Sequence, residues 1–409
     1  MHLQCVLIVL TTVAQAPTPA VSSQEDAQAA YERKFLDRFP AVDPPLPLEE
    51  YASAARYDAL YLGRDLDDAL STVDNDQGGL AWGLSYRMIS LNGMYRATRD
   101  VKYLEANLRC IRAVIAATDD KRGKPLWTGR VVPAWGCDKY AERGRAVFAV
   151  HTGIIAAPIF DFLSLVKEQV PLRESLGPET DAIRDAARLA LAVHDRQWRD
   201  GPGAEEGHYI GMEQEDVLEN KPLPGNRVSA MGWALWLSSK LDGEPVHRAR
   251  ALALGHYIKN RFTPAPDGAY YWPYWLPELP VTEPAPRSSV PGEDTSHAGL
   301  TIALPLALGL DGQVFTAEDM TRLANTVLLG FAHRNDGILY GRITGTPELG
   351  PDYVALPSRW LPLARFEPAV RSRILDFYLK YQGKPGPLDI ADLLLWGLPG
   401  DSPVPQDNP

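Results

Sequence analysis

The densest group of chemically capable side chains in this sequence is Glu293-Asp294-Thr295-Ser296-His297, immediately ahead of the apolar run that begins at Ala298. Asp294 or Thr295 is placed to cap a helix there, because a short side-chain oxygen accepts from the first free helix N–H groups. His297 then falls in the first helical turn. An imidazole at that position can exchange protons near neutral pH, and the two acids beside it can orient it or act as acids themselves. The same pattern, polar residues opening an apolar helix, returns at His151 and at Asn226-Arg227. Taken alone, His151 reads as a packing histidine, and Asn226-Arg227 as a helix cap with a surface cation. The equivalence of His151 to His297 favours a functional reading of both. A guanidinium at a helix start suits a carboxylate ligand, which it grips through two parallel hydrogen bonds.

Aromatic residues crowd two loops near these starts. Tyr270-Tyr271-Trp272-Pro273-Tyr274-Trp275 lies ahead of His297, and Trp127, Trp135 and Tyr140 lie ahead of His151. Their prolines and loop context predict the wall of a cleft in which flat rings stack on sugar C–H faces, with Tyr270, Trp272, Tyr274, Trp135 and Tyr140 as contacts and a tyrosine available for proton transfer. Of the other histidines, His194, His247, His256 and His333 fall on outer helices or their turns and read as surface or packing residues; His208 lies in a loop of unassigned position.

The elements that must position these groups are helices. Residues 80–97 and 101–117 pair as an αα-hairpin across the turn Thr98-Arg99-Asp100, and the unit recurs at 151–170 with 178–198, 227–241 with 245–262, 296–308 with 316–332, and 357–364 with 368–381; 388–398 closes the series. In each unit the first helix is apolar nearly all round and the second is amphipathic, which makes the first an inner helix and the second its cover. The fold class is therefore all-α, an α/α toroid of about six to seven αα-hairpins, with an open α-solenoid as the alternative. Strands are expected only in loops, at 268–272 and 335–340. Parallel inner helices gather their N-termini, with free N–H groups and partial positive charge, at one end. Asp74, Asn75, Asp76, His151, Asn226, Arg227, Glu293, Asp294, His297, Tyr353, Arg359 and Trp360 then converge on one rim.

The chain has 409 residues, 45% of them hydrophobic, and a formal charge of −11. That balance disfavours a broad nucleic-acid face but leaves room for a few focused cations to hold an acidic polysaccharide. Residues 1–20 resemble a secretory signal: the apolar stretch Val6–Leu10 is followed by small residues, with cleavage expected near Ala16 or Ala20, although no Lys or Arg precedes it. A secreted or periplasmic location follows. Residues 21–48 read as an extended N-terminal arm, 49–398 as a single catalytic toroid and 399–409 as a flexible tail. No later apolar run is expected to reach membrane-spanning length without interruption. Cys110 reads as a buried thiol, Cys137 lies in a loop, and their pairing is open.

In its inner-helix polar starts, Asn226-Arg227, His151, His297 and the tyrosine-rich loop, the chain resembles the α/α-toroid polysaccharide lyases and related carbohydrate-active enzymes, most of all those acting on alginate or glucuronan. The resemblance implies β-elimination at a uronic acid: Arg227 and Asn226 neutralise the carboxylate, His151 or His297 is the base, and Tyr271 is the first choice for the acid. Glu293, Asp294, Tyr353 and Arg359 join the aromatic residues in binding substrate, with neither metal nor cofactor required. Three alternatives stand beside it. An inverting hydrolase would use Glu293 or Asp294 with Asp74 or Asp76; a uronyl C5-epimerase would share the first step; a non-catalytic sugar-binding protein would keep only the aromatic wall.

Overall fold

The computed structural model describes residues 24–212, 219–381 and 385–397. The proposed signal and the C-terminal tail lie outside the described residues. Six inner elements form the ring: Ser85–Thr98 with the π-turn Leu80–Leu84 ahead of it, Ala149–Glu168, Gly225–Asp242, Thr295–Thr301 continued by Ala303–Leu310, the 3-10 segment Pro357–Arg365, and Pro387–Trp396. Each packs against the next, and Pro387–Trp396 packs back on Ser85–Thr98, so the ring is closed. Ala54–Tyr61, Lys102–Ala116, Glu179–Ala192, Pro245–Lys259, Ala317–Asn325 and Ala369–Tyr381 lie outside them. The fold is an α/α toroid of six units, and the open solenoid is excluded by the contact between first and last inner helices.

Burial explains this order. The helix Ala149–Glu168 is apolar on nearly every face, and almost all of its residues are buried. At 20 residues it is long and apolar enough, by length and composition, to cross a membrane. This corrects the expectation that no such run exists; its burial inside the ring makes it a core helix. Lys102–Ala116 buries Tyr103, Leu104, Ile111 and Val114 on one face and leaves Lys102, Glu105 and Arg109 on the other, the amphipathic pattern of a covering helix.

Two glycines permit close approaches that the site depends on. A Cβ on Gly153 would sit 2.5–2.6 Å from the backbone of Ala230 and Met231. The bare position lets the helices carrying His151 and Arg227 touch backbone to backbone. Gly78 has φ +82°, and a Cβ there would meet Trp82 at 3.0 Å and Tyr140 at 3.1 Å.

Several expectations are corrected. Within the expected extended arm, the described residues Gln24–Arg38 form a helix, and its Tyr31 and Phe35, with Phe39 just beyond, are buried in the common core. The hairpin near 268–272 exists as Thr263–Pro264 paired with Tyr270–Tyr271, but 335–340 forms no strand; the nearby pairing is a single bridge between Asp294 and Arg342. A second small hairpin, Trp198–Asp200 with Gly207–Tyr209, was not anticipated. Cys110 and Cys137 are both buried, free thiols.

Candidate active site

Side chains at the starts of the inner elements connect around the ring. Asn75, in the turn before the first inner helix, is fully buried. Its Oδ1 accepts from Ala81 N–H at 3.2 Å, and its Nδ2 donates to the Trp135 carbonyl at 3.1 Å. These two backbone partners fix the amide orientation, so the 3.1 Å contact between Asn75 Nδ2 and His151 Nδ1 has the amide donating. The His151 proton then resides on Nε2. Burial, and next the charge of Arg227, lower the His151 pKa to about 3, so the ring is a neutral imidazole. With Nδ1 occupied and Nε2 protonated, His151 is a hydrogen-bond donor and not a base. Trp82, Tyr140 and Phe148 surround it at ring distances of 5.2, 5.6 and 5.2 Å.

Arg227, half-buried in the first turn of the next inner helix, connects His151 to the far side of the cleft. The Tyr274 phenol lies within electrostatic reach of its guanidinium. Burial raises the Tyr274 pKa and Arg227 works against that rise; Glu293 and Asp294 add to it, and the phenol is protonated at neutral pH. Tyr274 stands edge-on to the His297 ring at 5.0 Å. Asp294 caps the His297 helix, with Oδ1 accepting from His297 N–H at 3.0 Å, and its Oδ2 lies 2.6 Å from His297 Nδ1. Burial pushes the Asp294 carboxyl up, but the hydrogen bonds and charge of His297, with Ser296, hold it below the usual range. The carboxylate accepts from Nδ1–H, which in the neutral ring leaves the lone pair on Nε2. The His297 side chain is 43% exposed, open to a ligand.

Arg359 continues the circuit. Its guanidinium lies 4.6 Å above the Tyr86 ring of the first inner helix, and its Cδ is packed against Gly299 of the His297 helix. The preceding Ser358 hydroxyl lies 3.1 Å from Asp389 Oδ1 and 3.0 Å from Asp392 Oδ2, on the closing helix. One hydroxyl proton cannot serve two carboxylates, so a carboxyl proton completes the pair. Burial pushes both carboxyls up, Asp392 to about 7.

The remaining expected site residues lie elsewhere. Tyr271 is fully buried with its hydroxyl toward Asp267 at 3.4 Å; the phenol beside His297 is Tyr274. Tyr270 donates to Asp319 beneath an outer helix. Trp272 is buried, stacked on Phe262 at 4.2 Å. Trp135 is buried with its indole N–H on the Val114 carbonyl. Most of the expected aromatic wall is therefore core. Asn226 is buried, and its Oδ1 has no hydrogen-bond partner among the described residues. Tyr353 is 42% exposed beside Gly341, whose carbonyl accepts from Thr295 N–H.

The carboxylates expected for hydrolysis are occupied. Asp76 receives Arg122, Lys124 and Arg145, and these hold its carboxyl well below the usual range against the upward push of burial. Asp74 Oδ1 accepts from Asp76 N–H at 2.9 Å. Glu293 is buried with Oε2 accepting the Trp272 indole N–H at 2.6 Å, and burial raises its pKa well above the usual carboxylate range. Trp82, Tyr86 and Asp392 were not anticipated, whereas Trp275 belongs to the expected aromatic wall. Trp82 could have been found as an aromatic residue three positions after the Gly79 that opens the first inner helix.

Among the described residues no cluster of histidine, cysteine and carboxylate side chains has the makings of a metal site. A cavity of about 520 Å³ lies away from the rim, lined by Leu310, Phe315, Thr316, Arg365 and Phe366 at the opposite ends of the inner helices. It holds no acid–base pair.

No protein-family model and no curated protein matches the sequence. Solved structures with a similar course of the chain include the GH76A α-1,6-mannanase of Salegentibacter sp. HEL1_6. An inactive variant in complex with α-1,6-mannotriose is 13% identical, with 85% of this chain and 98% of that chain covered at a TM-score of 0.49. A second inactive variant, with α-1,6-mannotetrose, is 12% identical over 85% and 100% of the two chains at 0.46. The enzyme's own structure is 12% identical over 85% and 98% at 0.48. None of the three is a polysaccharide lyase, the group the sequence pattern resembles, and at this identity and score the likeness carries nothing about the chemistry of this chain.

Proposed function

We propose that this protein is an exported polysaccharide lyase that cleaves a uronate-containing polymer by β-elimination at the rim formed by His151, Arg227, Tyr274 and His297. One observation carries the reading: the run Arg227–Tyr274–His297–Asp294 sets a cation, a protonated phenol and a carboxylate-oriented imidazole side by side. Arg227, with the Nε2–H of His151 beside it, binds the substrate carboxylate and stabilises the charge that develops when C5 loses its proton. His297 Nε2 removes that proton. The C5–H electrons form the C4=C5 double bond, the C4–O bond breaks, and the Tyr274 hydroxyl gives its proton to the leaving oxygen. The adjacent rings of His297 and Tyr274 then return the captured proton to the phenolate. The test is a pair of polymers, a polyuronate and the same polymer with its carboxyls reduced to alcohols. Cleavage of the first alone is expected; equal cleavage of both would remove the carboxylate from the mechanism.

A second reading is hydrolysis of a glycosidic bond, and one observation favours it. Asp392, at about 7, shares Ser358 with Asp389 beside Arg359 and supplies the protonated carboxyl that an inverting hydrolase requires. Asp294 would have to release His297 to act as its base.

A further inference from the structure

Large aromatic side chains lie partly in solvent on both sides of the Arg227 centre. On the His151 side, Trp82 is 36% and Tyr140 44% exposed, both pressed against Gly78 and edge-on to the His151 ring. On the His297 side, Trp275 is 50% exposed and stands edge-on to Tyr274 at 5.6 Å. Between them run His151, Arg227, Tyr274 and His297, each touching or electrostatically coupled to the next. Most tryptophans and tyrosines of the neighbouring loops are buried with a hydrogen-bond partner, as Trp135, Tyr270 and Trp272 are. Trp275 follows the same loop into solvent. An aromatic ring kept in water at the lip of a cleft has an apolar face to offer, and sugar rings present apolar C–H faces of matching size.

We propose that Trp82 with Tyr140 on one side, and Trp275 on the other, are two sugar platforms flanking the reacting unit, so that the protein binds an acidic polysaccharide at internal positions and cleaves it in endo fashion. The inference rests on the β-elimination reading for the position of the reacting unit and extends it to the units on either side. A chain lying across the rim places one uronate carboxylate on Arg227 and stacks neighbouring sugars on the two platforms. A ligand too short to reach both gains from only one.

The experiment is calorimetric titration of the full chain with oligouronates from dimer to hexamer, in the wild type, Trp82→Ala and Trp275→Ala, together with the product sizes formed early in digestion of the polymer. Affinity is expected to rise with length until both platforms are filled. Each substitution should weaken hexamer binding about tenfold, the double variant should bind the hexamer no better than wild type binds the dimer, and early products should be oligomers of many lengths. Length-independent affinity, unchanged hexamer binding in Trp275→Ala, or release of terminal units alone would overturn the two-platform proposal while leaving the elimination reading intact. Length-dependent binding that both substitutions weaken, without any unsaturated product, would leave the platforms standing and overturn the elimination. Circular dichroism of each variant separates a lost platform from a lost fold.

Discussion

Asp294 Oδ2 lies 2.6 Å from His297 Nδ1, while Oδ1 of the same carboxylate caps the helix that carries the histidine. One side chain thus places the helix start and sets the imidazole tautomer. The two roles separate in Asp294→Asn. An asparagine oxygen caps nearly as well as an aspartate, so stability should change by less than about 1 kcal/mol. The amide nitrogen facing Nδ1 donates instead of accepting, which moves the imidazole proton to Nε2 and removes the base. Turnover is expected to fall on the order of a thousandfold, measured as kcat on a polyuronate alongside a thermal melt. Near-normal turnover would show that His297 is not oriented for proton abstraction.

Glu293 separates elimination from hydrolysis. Its carboxyl is buried, with Trp272 donating to Oε2, and burial pushes its pKa well above the usual carboxylate range. An acid whose folded pKa is raised contributes stability that is fully present below its unfolded pKa of 4.5 and is lost as pH rises toward the folded value. Glu293→Gln is neutral at every pH and still accepts from Trp272. It should melt higher than wild type at pH 8, lose that advantage near pH 4, and keep its activity. Loss of all turnover with an intact fold would make Glu293 a catalytic acid.

The helix contact that brings His151 to Arg227 depends on a single absent methyl group. In Gly153→Ala a Cβ would lie 2.5–2.6 Å from the backbone of Ala230 and Met231. Neither helix can yield locally, because backbone and not a side-chain tip is in the way. The expected cost is about 1–3 kcal/mol, read from urea denaturation, with a rise in KM as Arg227 moves from His151. A stability and KM equal to wild type would show that the two helices are not held at this distance.

Acid sensitivity is expected from the buried histidines. His194 is fully buried, with Nε2 2.8 Å from Thr152 Oγ1 and Nδ1 bonded to Gln197, and burial lowers its pKa from 6.5 to about 4. The unfolded chain binds the proton first. The stability His194 contributes is therefore fully present above about pH 6.5 and is lost as pH falls toward 4. The stability difference between wild type and His194→Gln should be constant from pH 8 to 7 and shrink below 6.5, on the order of a few kcal/mol in all. A difference independent of pH would mean that the His194 pKa is the same in the folded and unfolded protein and that burial does not keep it neutral.

The positions of the helix starts were legible because one physical rule marks them. A polar residue ahead of a run that is apolar all round can only be an inner-helix entry, and Asn75, His151, Arg227, His297 and Arg359 all lie at the rim. What the rule does not carry is burial in loops. Tyr270, Tyr271 and Trp272 look the same in sequence as Tyr274 and Trp275. Their fates are decided by Asp319, Asp267 and Glu293, partners that are 49, 4 and 21 residues away. Asp76 was equally opaque: the cations that engage it lie 46, 48 and 69 residues further along the chain. The amide that fixes the His151 tautomer is 76 residues from it, which is why base and donor were indistinguishable between the two histidines.

The central claim is that Arg227, Tyr274 and His297 act together to make a C4=C5 double bond. The most direct test is a digest of polyuronates with wild type and Tyr274→Phe, in which ultraviolet absorbance of unsaturated uronate ends and total reducing ends are counted in the same samples. The account predicts one unsaturated end for every new reducing end in the wild type, and loss of both in the folded Tyr274→Phe variant. New reducing ends without ultraviolet absorbance would contradict it and assign the rim to hydrolysis.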